Sequence, residues 1–142
     1  MNGAVIGTGV DLVENERIRD LLTKWDIHFK NKVFLPSEQA YCDNKASPWL
    51  YYAGRFAVKE AVSKAFGTGI GPALGWKDIE VLRATSGAPS IQLSDHGKKL
   101  ATNMGVARVL ISLSHTHHFA VAHALLLGAD PEPRTLNRPS SP

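Results

Sequence analysis

The chain has 142 residues, of which 44% are hydrophobic and 20% are charged. This length suits one domain, and the composition excludes collagens, coiled coils and largely disordered proteins. Sixteen Lys and Arg residues against thirteen Asp and Glu residues give a net charge of +3. Such a small excess does not indicate a dedicated nucleic-acid binder, and it suits an anionic small molecule or an acidic partner protein.

The sequence has one cysteine, Cys42, so neither an intramolecular disulfide nor a cysteine-based zinc site is expected. No segment has the pattern of a signal peptide. The longest apolar run, residues 119–127, is interrupted by His123 and is about half as long as a bilayer span. We therefore expect a cytoplasmic protein that does not enter a membrane.

The chain begins with a β-rich segment, residues 4–13, which has apolar residues on both faces. Gly7 and Gly9 inside this predicted strand would let another backbone approach closely. Apolar residues then recur at helical spacing, which predicts an amphipathic helix over 14–25.

Two further helices are predicted next. One begins at Pro36, which suits a first helical turn, and it ends before residues 44–48. The strongest helical pattern of the chain follows over 49–66, with Gly67 in the C-cap position. Residues 67–72 form a glycine-rich loop.

The second half predicts four strands and one helix: strands over 76–83, 90–93, 108–115 and 119–127, and a helix over 96–104. The order β-α-α-α-β-β-α-β-β predicts an α+β fold with mainly antiparallel pairing. We expect one domain over 1–127. Residues 128–142, with four prolines and little apolar content, are predicted to be a disordered tail.

Asp11 is unusual because it lies near the end of an apolar, glycine-containing strand. It could cap the following helix, or it could be a metal ligand, since carboxylate oxygens suit a hard cation such as Mg²⁺.

Glu60, Ser63 and Lys64 share one face of the longest predicted helix. Glu60 and Lys64 could form an ordinary surface ion pair. However, Glu60 lies in an apolar stretch, and Lys64 precedes a loop whose free amides would bind an anion. The glycine pattern lacks the spacing of a P-loop, so phosphate binding is indicated only in general terms.

Residues 112–118 contain three histidines, which suggests zinc. However, His115 and His117 would share a strand face while His118 points away, and no Cys or carboxylate is nearby to complete a site. A polar strand end that faces phosphates or hydroxyls is favoured over zinc, and a simple polar turn remains the alternative. Ser114 and His115 are adjacent on a strand, so they cannot form a nucleophile–base pair.

Three segments occur together in a specific order: residues 6–12 (IGTGVDL), residues 55–69 (RFAVKEAVSKAFGTG) and residues 112–116 (SLSHT). Together they resemble the holo-acyl-carrier-protein synthase family of 4′-phosphopantetheinyl transferases, over about residues 4–127. The resemblance implies the fold of that family, an antiparallel sheet packed with a long central helix. It also implies transfer of phosphopantetheine from coenzyme A to a serine of an apo acyl carrier protein, in fatty-acid and lipid biosynthesis.

The resemblance also implies roles for individual residues. Asp11 and Glu60 would hold Mg²⁺ and be the catalytic residues, with Glu60 as the candidate base for the serine proton. The coenzyme A contacts would come from Arg55, Ser63, Lys64, Gly67, Thr68, Gly69, His115 and Thr116.

The acidic carrier protein would dock on a basic surface made by Arg17 of the first helix and by His28, Lys30 and Lys32. Arg17 could instead be an ordinary solvated arginine. Family members of this size are homotrimers with active sites between subunits, so we expect a homotrimer. Two other functions remain open: a coenzyme A or nucleotide-binding module without transfer activity, and a single-stranded nucleic-acid binder. The second is disfavoured because aromatic residues do not alternate with basic ones.

Overall fold

The computed structural model describes residues 3–130. Within them lie five strands and four α-helices: β1 (Val5–Glu14), α1 (Asn15–Val33), α2 (Pro36–Asp43), α3 (Pro48–Ala65), β2 (Ile79–Arg83), β3 (Pro89–Leu93), α4 (Asp95–Asn103), β4 (Val106–His115) and β5 (Phe119–Gly128). The predicted α+β class is confirmed. None of the described helices has the length and apolar character needed to cross a membrane. The predicted disordered tail falls mostly on residues 131–142, which lie outside the described part.

All strand pairing is antiparallel within the described residues, as predicted. One sheet has the order β1-β5-β4, and β2 pairs with β3 in a separate hairpin. In the larger sheet Asp11 is opposite Ala122, and His115 is opposite Ala120. Asp11 and His115 therefore lie on the two outer strands, with β5 between them. Strand spacing separates their backbones by about 10 Å.

Helix α3 packs across this sheet, and small residues allow it to approach closely. A Cβ atom at Gly9 would collide with the carbonyl oxygen of Ala61, and one at Gly7 would collide with that of Ala65. The predicted close backbone approach at both glycines is confirmed. Because β1 carries Asp11 and α3 carries Glu60, this approach brings the two predicted metal ligands to the same region.

Two predicted boundaries are wrong. The first helix does not end at Trp25: helical structure continues to Val33 after a single break at Asp26, whose φ of 35° is in the region that favours glycine. Residues 76–78 are not part of a strand. They form a short 3₁₀ helix, in which the Asp78 carboxylate accepts hydrogen bonds from the Gly75 amide and the Ser94 hydroxyl.

A buried ion pair connects α3 to its neighbours. The ammonium of Lys59 lies 2.7 Å from Glu38 Oε1 and also donates to the carbonyls of Trp76 and Ile79, while the amide of Val81 donates to Glu38. Both side chains are fully buried. Burial lowers the pKa of Lys59, and Glu38 opposes this effect. The pair fixes α3 against α2 and β2, one residue before Glu60, and the sequence analysis did not find it.

Candidate active site

Asp11 and Lys64 connect β1 to α3. The Lys64 ammonium donates to Asp11 Oδ1 at 2.9 Å and to the carbonyl oxygen of Val10 at 3.3 Å. The hydrogen bond to Asp11 raises the pKa of Lys64. Helix α1 begins at Asn15 with Glu14 in the cap position, so the alternative role of Asp11 as a helix cap is wrong.

Glu60 faces the same place from α3. Partial burial raises the pKa of Glu60, and the charge of Asp11 raises it further, while Lys64 and Arg17 lower it. Two carboxylates and two cations therefore influence one another across β1, α1 and α3. Lys64 pairs with Asp11 rather than acting only as a surface partner of Glu60.

A second group of charges surrounds His115 at the end of β4. The imidazole packs against Gly54 of α3, where an added Cβ would lie 2.6 Å from His115 Cε1. Arg55, the next residue, is 4% exposed, and its Nε atom is buried without a hydrogen-bond partner in the described part of the chain. The pKa of His115 is lowered by burial and then by the charges of Arg83 and Arg55.

The space beside His115 is a basic and aromatic cavity of about 330 Å³, which we call the cation cavity. It is lined by Tyr41, Lys45, Leu50, Tyr51, Arg83 and His115. The Arg55 guanidinium lies 4.0 Å from the centre of the Tyr41 ring, and the Lys45 ammonium lies 4.5 Å from the same centre. None of the six lining residues is acidic. Cations beside aromatic faces, with no lining carboxylate, suit a ligand with an anionic group and a flat ring.

Comparison with known proteins shows which family the chain matches. A family model described as the 4′-phosphopantetheinyl transferase superfamily matches residues 7–122, most of the chain. The chain belongs to the 4′-phosphopantetheinyl transferase superfamily. The resemblance inferred from the three sequence segments, and the enzyme class that it implies, are thereby confirmed.

Individual relatives agree with the assignment to this superfamily. The chain is 43% identical over 121 residues to the holo-[acyl-carrier-protein] synthase of Protochlamydia amoebophila, covering 84% of this chain and 96% of the relative. The crystal structure of the Neisseria meningitidis synthase superposes with a TM-score of 0.82 at 30% identity, covering 87% of this chain and 98% of that one. The crystal structure of the Helicobacter pylori synthase in complex with coenzyme A superposes with a TM-score of 0.75 at 32% identity, covering 84% of this chain and 98% of that one.

The glycine loop of this superfamily member differs from the prediction. The amides of Thr68 and Gly69 both donate to the carbonyl of Ser63, and that of Gly67 donates to Lys64. These amides therefore close the C-terminus of α3, and the expectation that they are free to bind an anion is wrong. Positive φ angles of 77° at Gly67 and 62° at Gly69 explain why glycines stand there.

Ser63 is fully buried, and its hydroxyl donates to the carbonyl of Glu60 at 2.8 Å. In this arrangement its side chain supports the helix instead of facing a ligand. Thr116 is exposed at the start of the β4–β5 turn, where its hydroxyl accepts hydrogen bonds from the amides of His118 and Phe119. The three-histidine segment is thus an ordered turn, and among residues 3–130 no group of three or more His, Cys, Asp or Glu side chains could hold a metal.

The predicted basic surface on α1 is only partly contiguous. Leu21 and Trp25 line a cavity with Arg17 and also one with His28 and Lys32, so these three basic residues border one surface. The Arg17 cavity is also lined by Lys24 and by the acidic residues Glu14, Glu16 and Asp20. Trp25, one of the apolar residues whose spacing predicted the helix, is 52% exposed there.

Lys30 does not belong to that surface. Its ammonium pairs with Asp43 at 3.2 Å and with Asp26 at 3.5 Å, and it lies over the ring of Tyr52. The charge of Lys30 is therefore compensated within the chain.

Residues that the sequence analysis missed are Tyr41, Lys45, Tyr51 and Arg83 of the cation cavity. They come from α2, the residues before α3, α3 itself and β2, and no local pattern connects them. The sequence offered one signal for this cavity: Lys45 precedes the adjacent aromatic residues Tyr51 and Tyr52 by only a few positions.

Proposed function

We propose that this chain transfers the 4′-phosphopantetheine group of coenzyme A to a serine hydroxyl of an apo acyl carrier protein. The observation that carries the proposal is that Asp11 of β1 meets Glu60 and Lys64 of α3. The same helix supplies Tyr51 to the cation cavity around His115. The carboxylates suit a cation that binds a diphosphate, and the cavity suits the nucleotide end of coenzyme A. The coenzyme A-bound relative supports the choice of substrate.

Asp11 and Glu60 fit Mg²⁺. The charge of Asp11 contributes to the raised pKa of Glu60, and the charge of Lys64 partly offsets it. Mg²⁺ typically takes one or two protein carboxylates and completes its coordination with waters and substrate phosphates, so two ligands suffice. When bound, the ion would screen the diphosphate and stabilise charge on the leaving group.

The reaction forms a bond between the serine oxygen and the phosphorus of phosphopantetheine. The bond from that phosphorus to adenosine 3′,5′-bisphosphate breaks, and the serine proton must leave. Glu60 is the proposed acceptor of this proton, because it is a carboxylate on the α3 face that carries Lys64, beside the place where the diphosphate would bind. Lys64, beside Asp11, would contact the diphosphate.

The nucleotide would occupy the cation cavity. Arg55 and His115 are the predicted contacts there, and we add Lys45 and Arg83 on the basis of the cavity lining. The Tyr41 and Tyr51 rings, 5.9 Å apart at their centres, offer apolar surface for the base. Thr116 and the surface of the loop at Gly67, Thr68 and Gly69 remain predicted contacts.

The carrier protein would dock on the surface around Trp25, with Arg17, His28 and Lys32 as its basic groups. Arg17 is close enough to Glu60 to lower the pKa of that residue, so a carrier bound there would place its serine near the carboxylates. The His28 and Lys32 side of Trp25 has no acidic lining residue within residues 3–130 and suits an acidic partner helix. By contrast, Glu14, Glu16 and Asp20 line the Arg17 side. Lys30, paired with two aspartates, is removed from this set.

We further propose a homotrimer with active sites between subunits. The face of the β1-β5-β4 sheet turned away from α3 carries exposed large apolar side chains: Ile6, Val10, Leu12, Phe119 and Val121. Val10 is 57% exposed and Leu12 is 64% exposed. An apolar patch of this kind is typical of a subunit interface. The cytoplasmic location and the absence of nucleic-acid and membrane partners stay predictions.

The proposal is tested by incubating the chain with coenzyme A, Mg²⁺ and an apo acyl carrier protein, and measuring the intact mass of the carrier. We expect a gain equal to one phosphopantetheine group, abolished by EDTA. A coenzyme A-binding module without transfer activity would bind coenzyme A in calorimetry and leave the carrier mass unchanged.

A further inference from the structure

Asn15 binds the turn that carries the predicted nucleotide contacts. Its side-chain Nδ2 donates to the carbonyl of Thr116 at 3.0 Å and to that of His117 at 3.1 Å. Its backbone amide donates to the carbonyl of His118 at 2.8 Å. One residue therefore satisfies three consecutive carbonyl groups of the β4–β5 turn.

The inner side of the same turn is satisfied by the turn itself. The amide of Thr116 donates to the carbonyl of Phe119 at 2.8 Å, and the Thr116 hydroxyl accepts from the Phe119 amide at 2.9 Å. The hairpin closes through these bonds without Asn15. Replacing the Asn15 side chain would therefore leave the hairpin formed and free two of its outward carbonyls, those of Thr116 and His117, because the backbone amide of residue 15 still donates to His118.

Asn15 has a cost to the fold that a purely structural residue would avoid. It is 2% exposed, and its Oδ1 atom is buried without a hydrogen-bond partner among the described residues. Two carbonyl oxygens facing the amide require its NH₂ group, which fixes the orientation of the side chain and leaves Oδ1 unpaired. A buried unpaired acceptor is unfavourable, so an apolar residue here would remove that cost at the expense of the turn bonds.

The position of Asn15 connects the strand of Asp11 to the turn after His115 within one chain. It follows β1, four residues after Asp11, and the strand end at Val13 is opposite Ala120, which is itself opposite His115. Asn15 thus joins the strand that carries a metal-binding carboxylate to the turn that follows His115.

We propose that Asn15 is a positioning residue for coenzyme A: it holds the turn at Thr116 so that His115 and Thr116 keep the geometry that binds the nucleotide. This role rests on the proposed function. Without the two side-chain bonds the closed turn is no longer held in place against the end of β1, and ligand binding must fix its position. This weakens affinity by about tenfold for the loss of two neutral hydrogen bonds. Turnover at saturating coenzyme A stays close to that of the unsubstituted chain, because the carboxylates are untouched.

The test compares Asn15→Asp and Asn15→Ala with the unsubstituted chain, using adenosine 3′,5′-bisphosphate in calorimetry and coenzyme A in transfer kinetics. Aspartate keeps the shape but cannot donate, and alanine removes the group without adding charge. Asn103→Asp, at the exposed end of α4, controls for charge. Val33→Ala, a buried change away from the turn, controls for lowered stability.

We expect about tenfold weaker binding and a raised KM with nearly unchanged kcat in both Asn15 variants, and neither effect in the controls. A lowered melting temperature with unchanged affinity would overturn the proposal, and so would failure of both variants to fold, since either assigns Asn15 to the fold alone. If the unsubstituted chain binds neither ligand, the proposed function itself fails, and the role of Asn15 fails with it.

Discussion

The ammonium of Lys64 lies 2.9 Å from Asp11 Oδ1 and so joins α3 to β1. Glu60, one helical turn before Lys64, faces the same place. In this arrangement a single cation serves two carboxylates, although only Asp11 is hydrogen-bonded to it. Lys64 is half exposed, so its side chain has room to move when another cation arrives. The lysine is therefore both the present partner of Asp11 and a group available to phosphates.

We predict that Asp11→Asn and Glu60→Gln each reduce transfer by at least about 100-fold, because each removes a ligand of the bound cation. Neither change should unfold the protein. The raised pKa of Glu60 means that ionised Glu60 opposes folding, so stability without metal falls as the pH rises above the ordinary value of 4.5.

Urea unfolding of the metal-free chain between pH 4 and 7 checks this point. Glu60→Gln should lack the decline attributed to Glu60 and should equal or exceed the unsubstituted chain at pH 7. Asp95→Asn on α4 serves as the matched control for loss of a carboxylate. Full transfer activity in both Asp11→Asn and Glu60→Gln would remove the metal assignment.

We predict that one glycine substitution lowers stability and that another lowers affinity for coenzyme A. Gly9→Ala places a Cβ against the backbone carbonyl of Ala61, which cannot move without displacing α3, and we expect a loss of about 3 kcal/mol or more. Gly54→Ala places its Cβ against the His115 ring, which can rotate away. This variant should keep most of its stability and lose affinity for coenzyme A. Denaturation and calorimetry together separate the two outcomes, and equal losses of stability would contradict the placement of His115.

Nucleotide binding should be accompanied by proton uptake. Burial and the charges of Arg83 and Arg55 lower the pKa of His115 below its ordinary value of 6.5, so the free ring is mostly neutral near that pH. A phosphate in the cavity would partly offset those charges and raise the pKa. Calorimetry with adenosine 3′,5′-bisphosphate in buffers of different ionisation enthalpy should show net uptake between the two pKa values. His115→Asn should abolish the uptake; an unchanged uptake in that variant would place the titrating group elsewhere.

Shared active sites predict complementation between two inactive variants. Glu60→Gln and His115→Ala should each be inactive alone. If each site takes its carboxylates from one subunit and its cation cavity from the next, trimers assembled from an equal mixture should recover about a quarter of full activity. Light scattering of the mixture gives the subunit number. No recovery in mixed trimers would show that each chain supplies a complete site.

The parts of the site that the sequence predicted lie on single elements. Gly9 and Asp11 are two residues apart on β1, and Glu60 and Lys64 are one helical turn apart on α3, so spacing alone places each pair. The link between the pairs was supplied by the family resemblance. The loop after α3 was predicted wrongly. A glycine-rich composition indicates that backbone amides are accessible, but it does not show that these amides donate hydrogen bonds to the last carbonyls of the helix.

The remaining parts depend on distant contacts or on one unusual backbone angle. Arg83 comes close to His115 only when the β2–β3 hairpin packs beside β4. Lys59 of α3 pairs with Glu38 of α2, 21 residues earlier in the chain. The prediction ended the first helix at Trp25, next to the break at Asp26, and nothing in the neighbouring residues signals that helical structure resumes after it. These features follow from tertiary packing and have no local signature.

The most direct test of the account follows both products of one reaction. Apo acyl carrier protein, coenzyme A and Mg²⁺ are mixed with the chain, and the intact mass of the carrier is measured together with the adenosine 3′,5′-bisphosphate released. We predict one phosphopantetheine group added to each carrier, an equal amount of bisphosphate, and no addition when the acceptor serine is replaced by alanine. A carrier that keeps its original mass, while the chain binds coenzyme A tightly, would contradict the account.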